Sequence, residues 1–174
     1  MLNYFEFYGL PVRFNPDQAV VKQQFYALSK KYHPDFYINE SAEKQAEVLE
    51  LSTVNNKAYQ VLSDPQKCLP YVLELRGHLT EGEQYALPQD FLMEMMEVNE
   101  SLMDLQFEPD ASKLDLLKEE VSVLEKSIEE ELSLLTGSFD KEDAAEREQL
   151  LPGIKDLYYR GKYILRIRES IAKM

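Results

Sequence analysis

A proline between two amphipathic helical patterns fixes where this chain must turn. Residues 15–32 place apolar side chains on a single helical stripe, at Val21, Phe25, Leu28 and Tyr32. Pro34 has no backbone N–H and moves the preceding residue, His33, out of the helical region, so the first helix must end here. A second helical pattern covers residues 43–62. The sequence therefore predicts two antiparallel helices joined by a rigid turn.

The start of the first helix and the buried face of the second are also predicted. Asn15 is placed to cap the first helix, with Pro16 in its first turn and Asp17 near its positive end. The second helix carries an apolar stripe at Ala46, Leu49, Val54, Ala58 and Val61. The turn His33-Pro34-Asp35 displays an imidazole and a carboxylate. We interpret the hairpin and its turn as a protein-docking device.

Charge is unevenly distributed along the 174 residues, whose net charge is −13 at pH 7. Residues 1–75 carry 7 basic and 9 acidic side chains, whereas residues 76–174 carry 12 and 23. This asymmetry favours two modules with different partners, and the negative total opposes binding to nucleic acid or to anionic membranes. The first residues contain neither a basic region nor a long apolar stretch, so we expect a cytoplasmic protein.

Residues that build metal or catalytic sites are few. Cys68 is the only cysteine, and the two histidines, His33 and His78, are far apart in sequence, so we expect no metal site and no cofactor. His33 and Asp35 are residue types used in general acid–base catalysis, but neither a nucleophile nor a glycine-rich phosphate loop accompanies them. We therefore expect no enzymatic activity and interpret the imidazole as a recognition group.

Three further helical patterns follow a candidate linker at residues 77–87. They cover residues 88–106, 110–136 and 140–172. Helices with such short connections favour an antiparallel three-helix bundle. The predicted fold class is all-α, with one domain at residues 1–76 and a second at residues 88–174.

Two breaks are predicted between these patterns, at residues 108–110 and 136–138, where proline or glycine occurs. Pro152-Gly153 falls inside the last pattern, where we expect a kink or a break.

The first helix of the second module has two apolar faces. One is a core stripe formed by Phe91, Met95, Val98, Leu102 and Leu105. The far side carries Leu92, Met93, Met96 and Met103, mixed with Glu97 and Glu100. A bundle helix needs only one apolar face, so the second face either packs on the linker or the N-terminal module, or binds a partner. Methionine favours the partner, because flexible thioethers suit adaptable binding surfaces.

The last helical pattern shows a similar arrangement. Its core stripe is Leu150, Ile154, Leu157, Ile164 and Ile171. Tyr159 is expected to point nearly opposite this stripe, with Tyr163 nearby. Aromatic side chains exposed on a helix are candidate interface anchors.

The hairpin resembles a J domain. The residues that carry the resemblance are Tyr32-His33-Pro34-Asp35, Asn55, Ala58-Tyr59 and Leu62-Ser63-Asp64-Pro65. J domains bind an ATPase chaperone of the heat-shock class and stimulate its ATP hydrolysis, so the resemblance implies this role for His33, Pro34 and Asp35. The chain departs from the usual pattern after the tripeptide, where Phe36 replaces a lysine.

The upstream helix presents a basic face opposite its apolar stripe. Lys22, Tyr26 and Lys30 lie on this face, with Lys31 closer to its edge. One interpretation is a solvated helix surface. Under the resemblance, the same face docks an acidic surface of the chaperone ATPase, where charge steers association and fixes orientation.

The chain as a whole resembles the HscB-type co-chaperones of iron–sulfur cluster assembly. The matching motifs are Tyr4-Phe5-x-x-Tyr8-Gly9-Leu10-Pro11, Leu73-x-Leu75-x-Gly77 and Phe91-Leu92-Met93-Glu94-x-x-Glu97. The resemblance implies an L-shaped molecule whose bundle binds an IscU-type scaffold protein and whose J domain engages an HscA/DnaK-type chaperone. It assigns the scaffold-binding role to Leu92, Met93, Met96, Glu97, Glu100 and Tyr159. The alternative is a J-domain adaptor for a different dedicated client, with the bundle as a dimerisation or docking module.

Overall fold

The computed structural model describes residues 2–141 and 144–174, and every regular element in these ranges is helical. The α-helices are α1 (Tyr4–Phe7), α2 (Gln18–Lys31), α3 (Ala42–Leu62), α4 (Pro65–Leu75), α5 (Gln89–Phe107), α6 (Ala111–Lys141), α7 (Ala144–Arg147) and α8 (Leu151–Ala172). Short 3₁₀ turns occupy Pro34–Tyr37 and Glu148–Leu150. The chain forms two compact units, Met1–Gly77 and His78–Met174. The all-α prediction is confirmed.

The first unit is built on the predicted hairpin of α2 and α3. Helix α2 begins later than predicted, because Asp17 rather than Asn15 is its cap: the Asp17 carboxylate accepts from the Ala19 backbone N–H at 3.0 Å. An ionised carboxylate satisfies a free N–H and also interacts favourably with the positive helix end. Ser41 caps helix α3, and its hydroxyl accepts from the Lys44 backbone N–H at 3.2 Å.

The buried face of α3 differs from the predicted stripe. The buried residues are Val48, Asn55, Ala58 and Leu62, whereas Leu49 is 59% exposed. The prediction counted only apolar side chains and therefore could not place a polar residue in the core. Helix α3 packs against α1, α2 and α4, so its buried face centres on Asn55.

The buried Asn55 amide joins three helices of the first unit. Its Oδ1 accepts from the Tyr8 hydroxyl at 2.8 Å, and its Nδ2 donates to the Phe25 carbonyl at 3.2 Å and to Ser29 Oγ at 3.1 Å. Burial raises the pKa of the Tyr8 phenol, which therefore remains a hydrogen-bond donor. These bonds hold α2 and α3 together about one helical turn before His33.

Helix α4 closes the first unit. Pro65 occupies its first turn, and the Asp64 carboxylate caps it by accepting from the Gln66 N–H at 2.9 Å. The helix ends at Leu75, and Gly77 just beyond it adopts a left-handed φ of 76° that few other residues tolerate. The Tyr71 hydroxyl accepts from the Tyr4 backbone N–H at 2.9 Å, which holds α1 against α4.

Helices α5, α6 and α8 form the core of the second unit. The core stripe predicted for α5 is buried in full. It meets Leu117, Val121 and Ile128 of α6 and Leu157, Ile164, Ile167 and Ile171 of α8. At the start of α8, the buried residue is Leu151 rather than the predicted Leu150, which is half-buried.

The predicted break at residues 136–138 is wrong. Helix α6 runs through Gly137 to Lys141 because Thr136 and Phe139 extend its buried stripe, and the Thr136 hydroxyl donates to the Leu132 carbonyl at 2.8 Å. Part of the third predicted helix, residues 142–143, lies outside the described residues. The break expected at Pro152-Gly153 lies a few residues earlier, at the 3₁₀ turn Glu148–Leu150, and α8 then begins at Leu151 with Pro152 in its first turn.

Glycine lets α6 and α8 approach each other closely. A Cβ added at Gly153 would lie 3.3 Å from the Leu135 side chain, tighter than ordinary van der Waals contact.

Across residues 2–141 and 144–174, no helix combines the length and apolar character needed to cross a membrane.

Candidate functional site

The His33-Pro34-Asp35 turn follows directly from the end of α2. His33 adopts an extended conformation, as expected before proline, and Pro34 starts the 3₁₀ turn. The His33 Nδ1 accepts from the Asp35 backbone N–H at 3.3 Å, which leaves Nε2 as the ring nitrogen that can donate to a partner. The Asp35 carboxylate lies 3.7 Å from Nδ1, and both side chains are mostly exposed.

Contacts to both helices hold this turn in place. The Tyr37 hydroxyl donates to the Lys31 carbonyl at 2.8 Å and so satisfies one of the free carbonyls at the end of α2. From α3, the Gln45 side chain donates to the carbonyls of Ile38 and Glu40, each at 3.0 Å. The imidazole and the carboxylate are therefore presented by a braced loop rather than by a free one.

The predicted basic face is exposed along α2. Lys22, Tyr26, Lys30 and Lys31 all face solvent. A cavity of about 330 Å³ lies at the end of this face, lined by Tyr26, Ser29, Lys30, His33, Asp35 and Phe36. The structure thus brings together four of the predicted residues and adds Ser29 and Phe36, while Lys22 and Lys31 lie outside the cavity. Phe36 was missed as a site residue because it appeared only as a departure from the J-domain pattern.

The second candidate surface lies on α5. Met93 and Met96 are 65% and 61% exposed, Leu92 is less so, and Glu97 and Glu100 face solvent beside them. Residues of the second unit, including those expected in the linker, therefore do not cover Met93 and Met96. The surface is apolar at its centre and acidic at its edge.

Tyr159 is not the freely exposed aromatic that was expected. Its ring stacks on Tyr85 with centroids 4.6 Å apart, and its hydroxyl donates to the Glu83 carboxylate at 2.8 Å. Tyr163 also packs inward: its ring meets Phe91 edge-on, and its hydroxyl accepts from the Asn99 amide at 2.9 Å. Spacing predicted most of the buried stripe of α8, but it placed Tyr163 wrongly and could not show that residues 83–85 cover Tyr159.

Residues 83–85, expected in a linker, belong to the second unit and lie against α8. Glu83 pairs with Lys155 at 3.2 Å, and the Tyr85 hydroxyl donates to Asp156 at 2.7 Å. The glycines at 77 and 82 are typical of a linker. They give no sign that Glu83 and Tyr85, which follow them, pack against α8. Residues 83–85 with their partners Lys155, Asp156 and Tyr159 are called the α8 strap below.

Hydrogen bonding sets the protonation of the α8 strap. The Tyr159 hydroxyl, with Lys155 beside it, lowers the pKa of Glu83, so this carboxylate is ionised at neutral pH. Burial, followed by hydrogen bonds to Asp156 and Glu83 respectively, raises the pKa of Tyr85 and of Tyr159 to about 12. Both phenols therefore remain donors, and their bonds to carboxylates are charge-assisted.

Comparison with known proteins identifies both units. The DnaJ domain matches residues 3–71, and the HSCB C-terminal oligomerisation domain matches residues 87–172. The co-chaperone protein HscB homolog of Vibrio vulnificus is 36% identical over 138 residues, covering 76% of this chain and 81% of the relative. The chain belongs to the HscB co-chaperone family. The HscB homolog of Haemophilus ducreyi is 31% identical over 137 residues, covering 78% of this chain and 79% of the relative.

Structural comparison agrees with this HscB assignment. The chaperone HscB from Vibrio cholerae superposes with a TM-score of 0.64 at 28% identity, covering 99% of this chain and 96% of that one. Human co-chaperone protein HscB shares the fold, with a TM-score of 0.70 at 23% identity, covering 99% and 82%. In sequence, the HscB homolog of V. cholerae is 39% identical over 102 residues, which span 58% of this chain and 60% of the relative.

Proposed function

We propose that this HscB-family chain is a non-enzymatic co-chaperone that binds an IscU-type iron–sulfur scaffold protein through its C-terminal unit. It delivers the scaffold to an HscA/DnaK-type chaperone and stimulates that chaperone's ATPase through its J domain. The observation that carries the proposal is the exposed, braced His33-Pro34-Asp35 turn at the end of a basic helix face. Such a turn offers a donor and a carboxylate in fixed geometry, which suits recognition.

The basic face of α2 gives the J domain its steering charge. Lys22, Lys30 and Lys31 are exposed in a chain whose net charge is −13, so they form a local cationic surface. Complementary charge accelerates encounter with an acidic partner and fixes its orientation. Binding to the chaperone is therefore expected to weaken with salt, since the Debye length is about 8 Å at physiological ionic strength.

The α5 surface supplies the scaffold-binding role. Leu92, Met93 and Met96 form its apolar centre, and flexible methionines adapt to a partner without a preformed pocket. Glu97 and Glu100 at the edge would exclude partners with acidic surfaces. Joining the two binding units in one chain raises the effective concentration of the chaperone and the scaffold for each other.

The J-domain role is tested by His33→Gln, which keeps a polar side chain but alters the donor and acceptor geometry of the turn. We expect loss of ATPase stimulation in a single-turnover assay. The variant lacks both the Nδ1 atom that accepts from the Asp35 backbone N–H and the Nε2 atom that can donate to the chaperone. His78→Gln is the matched control, as it replaces the other histidine outside the turn. A folded His33→Gln variant that stimulates as well as the wild type would contradict the proposal.

The scaffold role is tested by calorimetric titration with a purified IscU-type protein. We expect a dissociation constant of about 1 μM or tighter, near −8 kcal/mol, and loss of binding in Leu92→Ala/Met93→Ala/Met96→Ala. The control is Phe107→Ala/Leu165→Ala, which removes two exposed apolar side chains outside this surface. Absence of binding by the folded wild type would leave a J-domain protein with another client.

One observation favours the alternative of a dimerisation module. Leu116, Val123 and Leu134 are exposed, and their spacings of seven and eleven residues place them on one stripe of α6. The matching domain is also described as an oligomerisation domain. Sedimentation equilibrium of the wild type and of Leu116→Ala/Val123→Ala/Leu134→Ala decides between a monomer and a dimer that this stripe holds together.

A further inference from the structure

Phe36 is among the most exposed large apolar side chains of the first unit, and it stands beside the residue proposed to act on the chaperone. It is 74% exposed, and its ring meets the His33 imidazole edge-on with centroids 5.8 Å apart. The 3₁₀ turn is already held by Tyr37 and Gln45, so Phe36 is not needed to brace the loop. Its ring joins the exposed Tyr26 and the His33 imidazole in one concave patch, and such a patch indicates a docking surface where a single exposed ring would not.

The surroundings of Phe36 define what that partner must carry. Phe36 and Tyr26 are the two aromatic residues among the six that line the cavity of about 330 Å³, with His33 also on its wall. This volume is at the lower end of the range for ligand pockets, which suits one side chain rather than a small-molecule cofactor. Lys30 and Asp35 also line it, so one positive and one negative side chain flank the rings, and an aliphatic group whose acidic neighbour meets Lys30 fits best.

We propose that Phe36 and Tyr26 form an aromatic clamp that receives an aliphatic side chain from an acidic surface of the ATPase chaperone. This inference rests on the proposed J-domain function and deepens it, since it adds an apolar anchor to an interface otherwise described by charge and by the His33 turn. Continuity with His33 and complementarity to Lys30 select the chaperone as the occupant. Aromatic anchors surrounded by polar contacts are the residues that dominate binding at interfaces.

The clamp gives Phe36 and its neighbour His33 different roles. Phe36 acts on affinity, because its ring loses water only when the partner is seated. His33 acts on stimulation, because it fixes the geometry of the turn. Truncation of Phe36 should therefore raise the concentration needed for half-maximal stimulation and leave the maximum unchanged.

The test is a single-turnover ATPase titration with purified HscA-type and DnaK-type chaperones. We expect Phe36→Ala to raise the half-maximal concentration about tenfold or more with at least one of them, as removal of an interface anchor does. Phe36→Leu should recover part of the loss. The matched control is Leu49→Ala, which removes an equally apolar side chain that is 59% exposed on α3 and does not line the cavity.

Salt separates the clamp from the basic face. At about 0.5 M salt the Debye length falls to about 4 Å, so the effect of Lys30→Ala should shrink while the Phe36→Ala ratio persists. A Phe36→Ala variant within twofold of the wild type, or no different from Leu49→Ala, overturns the clamp. If His33→Gln still loses stimulation in that case, the proposed function stands. If His33→Gln stimulates the chaperone as well as the wild type does, the proposed function fails as well.

Discussion

At the scale of single residues, Asn55 shows how a polar side chain can organise a core. It is buried, and its side-chain amide forms hydrogen bonds with Tyr8, Phe25 and Ser29. These bonds offset the cost of burying a polar group. No apolar side chain of that size could satisfy Tyr8, Phe25 and Ser29 together. The J-domain resemblance marked Asn55 in the sequence, but only packing reveals its role.

We predict that Asn55→Ala lowers the free energy of unfolding of the first unit by about 2–3 kcal/mol. The change removes the side-chain bonds to Tyr8, Phe25 and Ser29 together and leaves a cavity, while the Tyr8 hydroxyl keeps only its bond to the backbone carbonyl of residue 55 at 3.1 Å. Urea denaturation, with hydrogen exchange assigning the loss to the first unit, measures the effect. Asn56→Ala is the control, because the next residue is exposed and should change stability little. Equal effects of the two substitutions would contradict the role of Asn55.

At the scale of the secondary-structure element, α6 shows where local signals fail. Gly137 has a low helix propensity, which predicted a break, but that preference is only about 1 kcal/mol. Burial of Thr136 and Phe139, on either side of this glycine, outweighs the cost. Pro152 indicated the break to within a few residues because its restriction is steric and covalent, and α8 begins beside it. Strong local constraints are predictable from sequence, whereas weak ones yield to packing.

The helical glycines give a paired prediction. Gly137→Ala should raise the free energy of unfolding of the second unit by about 0.5–1 kcal/mol, because a Cβ there meets nothing within 4 Å and the helix gains propensity. Gly153→Ala should gain less, since its Cβ presses on the Leu135 side chain. Chemical denaturation measures both, and a larger gain at Gly153 would refute the described approach of α6 and α8.

At the scale of the whole molecule, the division of the chain was largely predictable and the extent of the second unit was not. Charge asymmetry indicated two modules, and the structure separates them after Gly77. The α8 strap joins residues more than seventy positions apart, and no periodicity signals such a contact. Helical spacing predicted which of the candidate site residues are exposed. It could not predict the surroundings of Tyr159, because Glu83 and Tyr85 are distant from it in sequence.

The α8 strap makes the stability of the second unit depend on pH. The pKa of Glu83 is lowered in the folded state from 4.5, so its contribution is present above that value and is lost as the pH falls through the folded pKa. We predict that Glu83→Gln is less stable than the wild type at pH 7 and that the difference shrinks below about pH 4.5. Urea denaturation at both values measures it; a difference independent of pH would exclude the charge.

The Tyr8–Asn55 bond also has a consequence for folding kinetics. Its partners are 47 residues apart, whereas the bonds from Asn55 to α2 span 26 and 30 residues. The shorter loops close at a smaller entropic cost, so the hairpin can assemble before α1 docks on it. The bond would then be absent from the transition state and act mainly on the unfolding rate. In that case α1 serves as a latch that lengthens the lifetime of the folded hairpin without hastening its formation.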